Sequence, residues 1–181
     1  QHLADAATAA WKEEIVTSAL GAQGLQAEML SIHVSPPRSR RRATFAARRT
    51  KKGAIAGFHG RKSGTIIEIP DCHLLHPDLM QALPVAQALA EAGASRKTAL
   101  RLAAALSGGG LDGAVTDGKP LDGPLRPKRA QIAGAHDLAR LCWGDEAIVT
   151  QHPPEQVFDE IRVVPPPGSF LQATAEGEAA L

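Results

Sequence analysis

Ten of the chain's twenty Lys and Arg residues fall between positions 38 and 62, and no Asp or Glu occurs between Glu28 and Glu68. Such a stretch has no carboxylate of its own, and the local repulsion among so many cations is a cost that ordinary folding would not select. Residue alternation supplies the geometry. Arg40, Arg42, Thr44, Ala46 and Arg48 fall on one side of an extended strand, and Ala43, Phe45 and Ala47 on the other. The net charge is +1, so removing the ten block cations leaves the remainder at −9. One strongly positive surface on an otherwise acidic body points first to nucleic acid. Blocking edge-to-edge aggregation would need only one or two Lys.

A length of 181 residues suffices for one good core or two small lobes. Hydrophobic residues at 44% exclude a disordered tail, and no apolar run reaches the ~18–20 residues of a membrane span. QHLADAATAAWKEE has neither the basic region nor the apolar core of a signal peptide. Cys72 and Cys142 stand too far apart to suggest a disulfide framework, so a cytoplasmic protein is expected. The start at Gln1 without Met, and a helix onset at Thr174 close to Leu181, suggest a segment of something larger.

Along the chain, residues 4–20 read as an amphipathic helix with Trp11, Ile15, Ala19 and Leu20 on one face, ended by Gly21 and Gly24. A strand is expected at 29–34, followed by a break at Pro36-Pro37. The basic block then forms an antiparallel meander: a first strand, a turn at Lys51-Lys52-Gly53, a strand at 54–59, a turn at 60–64 and a strand at 65–69. Pro77 opens a helix that Pro84 breaks or kinks and Gly93 closes. Strands at 100–107 and 111–116 join through Gly108-Gly109-Gly110. A loop at 119–124, a helix at 128–136 and strands near 138–143, 147–150 and 160–164 follow. Pro165-Pro166-Pro167 stiffens a linker. Strands outnumber helices and their links read as antiparallel, so the expected class is α+β.

Candidate RNA-contacting residues are Arg38, Arg40, Arg41, Arg42, Arg48, Arg49, Lys51, Lys52, Arg61 and Lys62. Arg predominates, and its planar guanidinium pairs with phosphate in a bidentate fashion and stacks on bases. Phe45 and Phe58 lie among these cations, but alternation puts Phe45 on the apolar side. With no Tyr and 3% aromatics, a stacking-driven binder of the RRM type is excluded. Cys72, His73 and His76 form a weak metal pattern, since structural zinc takes paired ligands. The Gly triplet lacks a P-loop pattern and reads as a hairpin turn. Cys142 reads as core, and His136-Asp137 forms no relay.

Three segments together resemble the RNA uracil-5-methyltransferases that use S-adenosylmethionine, within them the cluster-containing ribosomal RNA branch. Gln1-His2 and the helix with Trp11-Lys12 resemble the stretch after that family's CxxC motif. Ser39-Arg40-Arg41-Arg42-Ala43-Thr44-Phe45, Gly57-Phe58 and Ile67-Glu68-Ile69-Pro70-Asp71-Cys72 resemble its basic strands running into the fourth cluster cysteine. Pro167-Gly168-Ser169-Phe170-Leu171-Gln172 resembles the approach to its methyltransferase domain. The resemblance implies that Cys72 is one of four thiolates on a four-iron four-sulfur (4Fe-4S) cluster, with its three partners before Gln1. It implies that Gln172 contacts S-adenosylmethionine, and that 4Fe-4S cluster and S-adenosylmethionine belong to a full-length parent, neither binding fully to this chain alone.

The family's catalytic Cys, which adds to C6 of uracil, and its base belong to a carboxy-terminal domain, so this chain is expected to be catalytically silent by itself. The implied organisation is residues 1–76 as helix plus basic meander, 77–164 as a central α+β region, and 165–181 as the linker and truncated start of a Rossmann-like methyltransferase domain. The expected partner is RNA, ribosomal RNA foremost, with no membrane and a monomeric state. The competing readings are a stand-alone basic RNA-binding module without catalytic activity and a structural metal-binding domain organised by Cys72.

Overall fold

In the computed structural model, which describes residues 4–121 and 123–181, alternation in the basic block seats one side of a strand on helices. Gln1-His2 of the expected pattern, and Asp122 of the expected loop, lie outside the described residues. Strand β1 (Arg42–Arg49) turns through residues 50–53 into β2 (Ala54–His59), and β3 (Ile66–Ile67) completes the meander. Phe45 and Ala47 are fully buried. Ala46, on the cationic side, is buried too. Opposite it, Gly57 lies under the backbone of Ile67: a Cβ there would stand 1.9 Å from the Ile67 carbonyl oxygen.

β4 (Leu100–Ser107) pairs with the other edge of β1, then β5 (Gly110–Thr116), β6 (Leu138–Trp143) and β7 (Glu146–Thr150) follow. The sheet order is β3-β2-β1-β4-β5-β6-β7. β4 and β5 form the expected hairpin through the Gly triplet, with Ser107 opposite Gly110. β5 and β6 are parallel, which corrects the expectation of antiparallel links throughout. The chain returns between them through helix α3 (Leu125–Ala135), and a crossover of that length permits a parallel neighbour. The molecule is therefore a mixed α/β structure. Its sheet runs without interruption across the expected division at residue 76, because β1 and β4 pair in register from Arg42 opposite Ala105 to Ala47 opposite Leu100.

Helix α1 spans Asp5–Ala22, and α2 spans Ala82–Gly93. α2 lies on β1, β2 and β4, while α3 lies on β6 and β7. α2 buries Ala82, Val85, Ala86, Leu89, Ala90 and Gly93, a helical-period stripe of mostly small residues that lets it approach the sheet closely. Pro84 does not kink it. The break falls earlier, where a 3-10 turn (Pro77–Gln81) gives way to α2, and Pro84 sits in the first turn of α2, where its missing N–H would have no intrahelical partner. Leu75, Leu79, Leu89, Leu100, Leu102, Val115, Leu138 and Leu141 complete the core with Phe45.

Two other expectations are corrected. No strand forms at 29–34: this segment runs beside α1, with Leu30 81% exposed and no sheet edge in reach. The apolar stripe of α1 is not buried, Trp11 being 54% exposed. Its C-terminus is closed as expected: Gly24, at φ 68°, donates to Gly21 and Leu25 donates to Leu20, a Schellman arrangement. The strand expected at 160–164 is half of a separate ribbon of β8 (Gln156–Phe158) and β9 (Ile161–Val163). The linker then leads to a short helix α4 (Ala175–Ala179), capped by the Thr174 hydroxyl, which accepts from the Gly177 amide.

Candidate nucleic-acid interface

The entrance to β1 is where chain segments distant in sequence meet. On one side, the Arg38 and Arg40 amides donate to the His73 and Leu74 carbonyls at 2.8 and 2.9 Å, and the His76 amide donates back to Arg40 at 2.9 Å. On the other, the Arg41 amide donates to the Ala173 carbonyl at 2.8 Å and its Nε to the Gln172 carbonyl at 3.2 Å. The Arg41 guanidinium also pairs with Glu178 of α4. Residues 38–42 are thus flanked by the Cys72 segment and the Phe170–Gln172 segment together. Sequence order alone gives no sign of this meeting.

A cavity of about 360 Å³ opens there, lined by Arg40, Arg42, Thr44, Phe58, Cys72 and Leu74 among others. The Arg42 guanidinium carbon sits 4.5 Å from the centroid of the Phe170 ring, and its buried Nε has no hydrogen-bond partner. Phe170 is 72% exposed, so its outer face is open. Leu171 is buried and anchors the segment, which leaves Gln172 half-buried beside it.

The remaining cations of the block spread along the meander. Arg49, Lys51 and Lys52 are exposed around the β1–β2 turn, Arg61 and Lys62 around the β2–β3 turn, and Arg48 is half-buried. Arg38 pairs with Asp71 at 3.1 Å and Arg41 with Glu178, while the others carry no ion pair with a carboxylate among the described residues. The positive surface is therefore largely uncompensated. Arg41 differs in kind, since its guanidinium is spent inside the chain. Phe45 and Phe58 stack on each other with ring centroids 5.3 Å apart, and Phe45 is fully buried, as alternation required. The exposed aromatic at this interface is Phe170, which the basic block itself did not signal.

Cys72 is half-buried at the cavity wall. His76 is used otherwise: its Nδ1 accepts from the Asp78 amide at 3.2 Å and caps the 3-10 turn. Among the described residues, no group of three or more His, Cys, Asp and Glu could hold a metal ion. One thiol is a quarter of the thiolate set that a 4Fe-4S cluster takes, so these residues do not by themselves fit the group. Cys142 is buried on β6, where burial pushes its thiol upward against the opposing effect of the Arg140 guanidinium. No described helix is long and apolar enough to cross a membrane.

The fold and this surface define a mixed α/β chain with a positively charged sheet end. No family model matches it. It is 36% identical to an uncharacterized RNA methyltransferase of Brucella suis biovar 1 (strain 1330) over 178 residues, which is 98% of this chain and 43% of that protein. A second uncharacterized RNA methyltransferase, from Rhizobium meliloti (strain 1021), is 34% identical over all of this chain and 44% of its own length. A third, from Caulobacter vibrioides (strain ATCC 19089 / CIP 103742 / CB 15), is 37% identical over all of this chain and 45% of its own length. The chain is thus similar over nearly its whole length to proteins named RNA methyltransferases, and it spans less than half the length of each.

Proposed function

We propose that this chain is the RNA-contacting region of an S-adenosylmethionine-dependent RNA uracil-5-methyltransferase acting on ribosomal RNA. The observation that carries the reading is the meeting at β1: Arg40 and Arg42 share a cavity with Cys72, while Arg41 holds the Phe170–Gln172 segment against the same strand. The three stretches that resemble the family's basic strands, cluster cysteine and methyltransferase approach would then serve one RNA segment. Arg40 and Arg42 grip its phosphates, and the open face of Phe170 supports a base. S-adenosylmethionine, when bound, supplies the methyl group, with Gln172 as this chain's contact to it. Cys72 contributes one thiolate toward a 4Fe-4S cluster whose other ligands come from elsewhere. The preference for ribosomal over transfer RNA rests on Cys72 alone.

Binding is tested by titrating the chain with a labelled single-stranded RNA across a salt series. If about six phosphates are engaged, log affinity falls against log salt with a slope of about −4. Replacing Arg40, Arg42 and Arg48 by Ala should flatten that slope, and a slope near zero for the unaltered chain would sink the RNA reading. The chemistry is tested on a longer protein carrying this sequence, incubated with ribosomal RNA and S-adenosylmethionine. Nucleoside mass spectrometry should find 5-methyluridine; methylation of a different nucleoside would overturn the uracil-5 assignment.

A further inference from the structure

A second cationic site lies at the other end of β1, built partly from residues outside the basic block. Arg48 on β1 and His59 on β2 meet Lys97 and Thr98 of the loop before β4, and Arg101 on β4, around an open groove of about 530 Å³. Register explains the meeting. Arg101 stands opposite Ala46 on β1, so it shares the outer sheet face with Arg48 and lies one pleat from it. The groove has the size of a ligand site, and among the described residues Asp117 is the one carboxylate lining it. Asp117 is not idle: it holds the Arg101 Nε at 2.9 Å and so fixes the guanidinium on the rim. The Lys97 amide donates to the Ser95 hydroxyl at 3.0 Å, which sets the loop that carries the lysine. Arg48 and Lys97 have no ion-pair partner among the described residues.

From this we infer a second phosphate-binding site for RNA, formed by Arg48, Lys97 and Arg101, with Thr98 and His59 as further hydrogen-bonding groups. It rests on the RNA reading above and extends it. Arg42 and Arg48 lie on one face of β1, roughly 20 Å apart at ~3.3 Å per residue. Between them Thr44 is exposed, whereas Ala46 is buried and the linker at Gly168 and Ser169 stands beside Thr44 and Ala103. A single RNA strand long enough to span β1 can therefore have its phosphates held at both ends, at the Arg40/Arg42 cavity and at this groove, without contacting the buried Ala46 between them.

The probe is a fluorescein-labelled single-stranded RNA of about a dozen nucleotides, titrated with the 181-residue chain over a salt series. Replacing Lys97 and Arg101 together by Ala should weaken binding on the order of tenfold and make the salt slope shallower by about 1.4, the share of two phosphates. Lys97→Arg with Arg101→Lys should largely restore both. Asp117→Asn should tighten binding, because it removes the groove's carboxylate at a position (φ 59°) that Asn tolerates. A Lys12→Ala, Lys128→Ala control loses two charges elsewhere and should leave the slope near the unaltered value. If the Lys97/Arg101 variant binds as the unaltered chain does, the groove is not a phosphate site, while the Arg40/Arg42 reading stands. If the unaltered chain shows no salt-dependent binding, the groove and the RNA reading fall together.

Discussion

The Arg42 guanidinium stacks under Phe170 at 4.5 Å, joining the first strand of the sheet to the linker near the end of the chain. With one ring face open, this contact should contribute the amount typical of exposed cation–π pairs. Phe170→Ala is expected to lower stability by about 0.5–1 kcal/mol, and Phe170→Leu should not recover it, because Leu restores bulk without a π face. Urea unfolding of the three proteins checks this. Equal stability for the Leu variant and the unaltered chain would show the contact to be only apolar.

Arg41 should behave as a structural residue, unlike its neighbours Arg40 and Arg42. Its side chain is 15% exposed and that of Glu178 is 22% exposed, and it also donates to the Gln172 carbonyl. Arg41→Ala should cost about 1.5–3 kcal/mol and speed proteolysis after residue 164. A double-mutant cycle with Glu178→Ala should return a coupling of at least about 0.5 kcal/mol. Arg40→Ala should leave both readouts almost unchanged.

The buried pair of Asp112 and Arg140 ties β5 to β6 and holds the linker. Two hydrogen bonds of 2.8 and 2.7 Å join the groups, and Arg140 also donates to the Pro165 carbonyl at 2.9 Å. The bond to Asp112 raises the guanidinium further above its usual range, so Arg140 stays charged throughout the working pH range. Asp112→Ala should therefore destabilise by about 3–5 kcal/mol, since it strands a buried charge. Thermal or urea unfolding reads this directly, and a loss below about 1 kcal/mol would contradict it.

The two cysteines should separate by accessibility and pH. A thiol reagent should modify Cys72 in the folded chain and reach Cys142, which is 1% exposed, only after unfolding. Burial raises the Cys142 thiol above its ordinary 9.0. The folded state then holds the proton more tightly than the unfolded state does. This contribution is fully present below about pH 9 and is lost as pH rises through the folded value. Cys142→Ala should lose less stability than the unaltered chain between pH 8 and 10.5.

Gly57→Ala tests the crossing of the meander. The added methyl would meet the Ile67 backbone at 1.9 Å, an atom that cannot swing aside as a flexible side chain could. A loss of about 1–3 kcal/mol or more is expected, with β3 detaching from β2. Amide exchange at Ile66 and Ile67 should quicken before the rest of the sheet is affected.

Much of the fold was legible because local patterning and tertiary demand agree. Alternation around Phe45 identified the buried side of β1, Lys51-Lys52-Gly53 and the Gly triplet marked real hairpins, and Thr174 does cap a helix. Where they part, a local signal had no partner to complete it. Residues 29–34 have the composition of a strand but reach no sheet edge, and the stripe on α1 meets no core. The parallel pairing of β5 and β6 depends on where α3 packs, which a period in the sequence does not report.

Residue order is enough to make residues 38–62 a positive face, because ten cations without an acid have no local way to neutralise one another. It also determined which side of β1 is buried, since a period of two leaves Phe45 and Ala47 no other side. Tertiary structure alone decided which cations remain free and what stands beside them. Arg41 is taken by Glu178, Arg42 receives Phe170, and Arg48 gains Lys97 and Arg101 from beyond the block. These are contacts across strands and between chain ends. They are set by register and by the packing of one core, and no stretch of neighbouring residues encodes them.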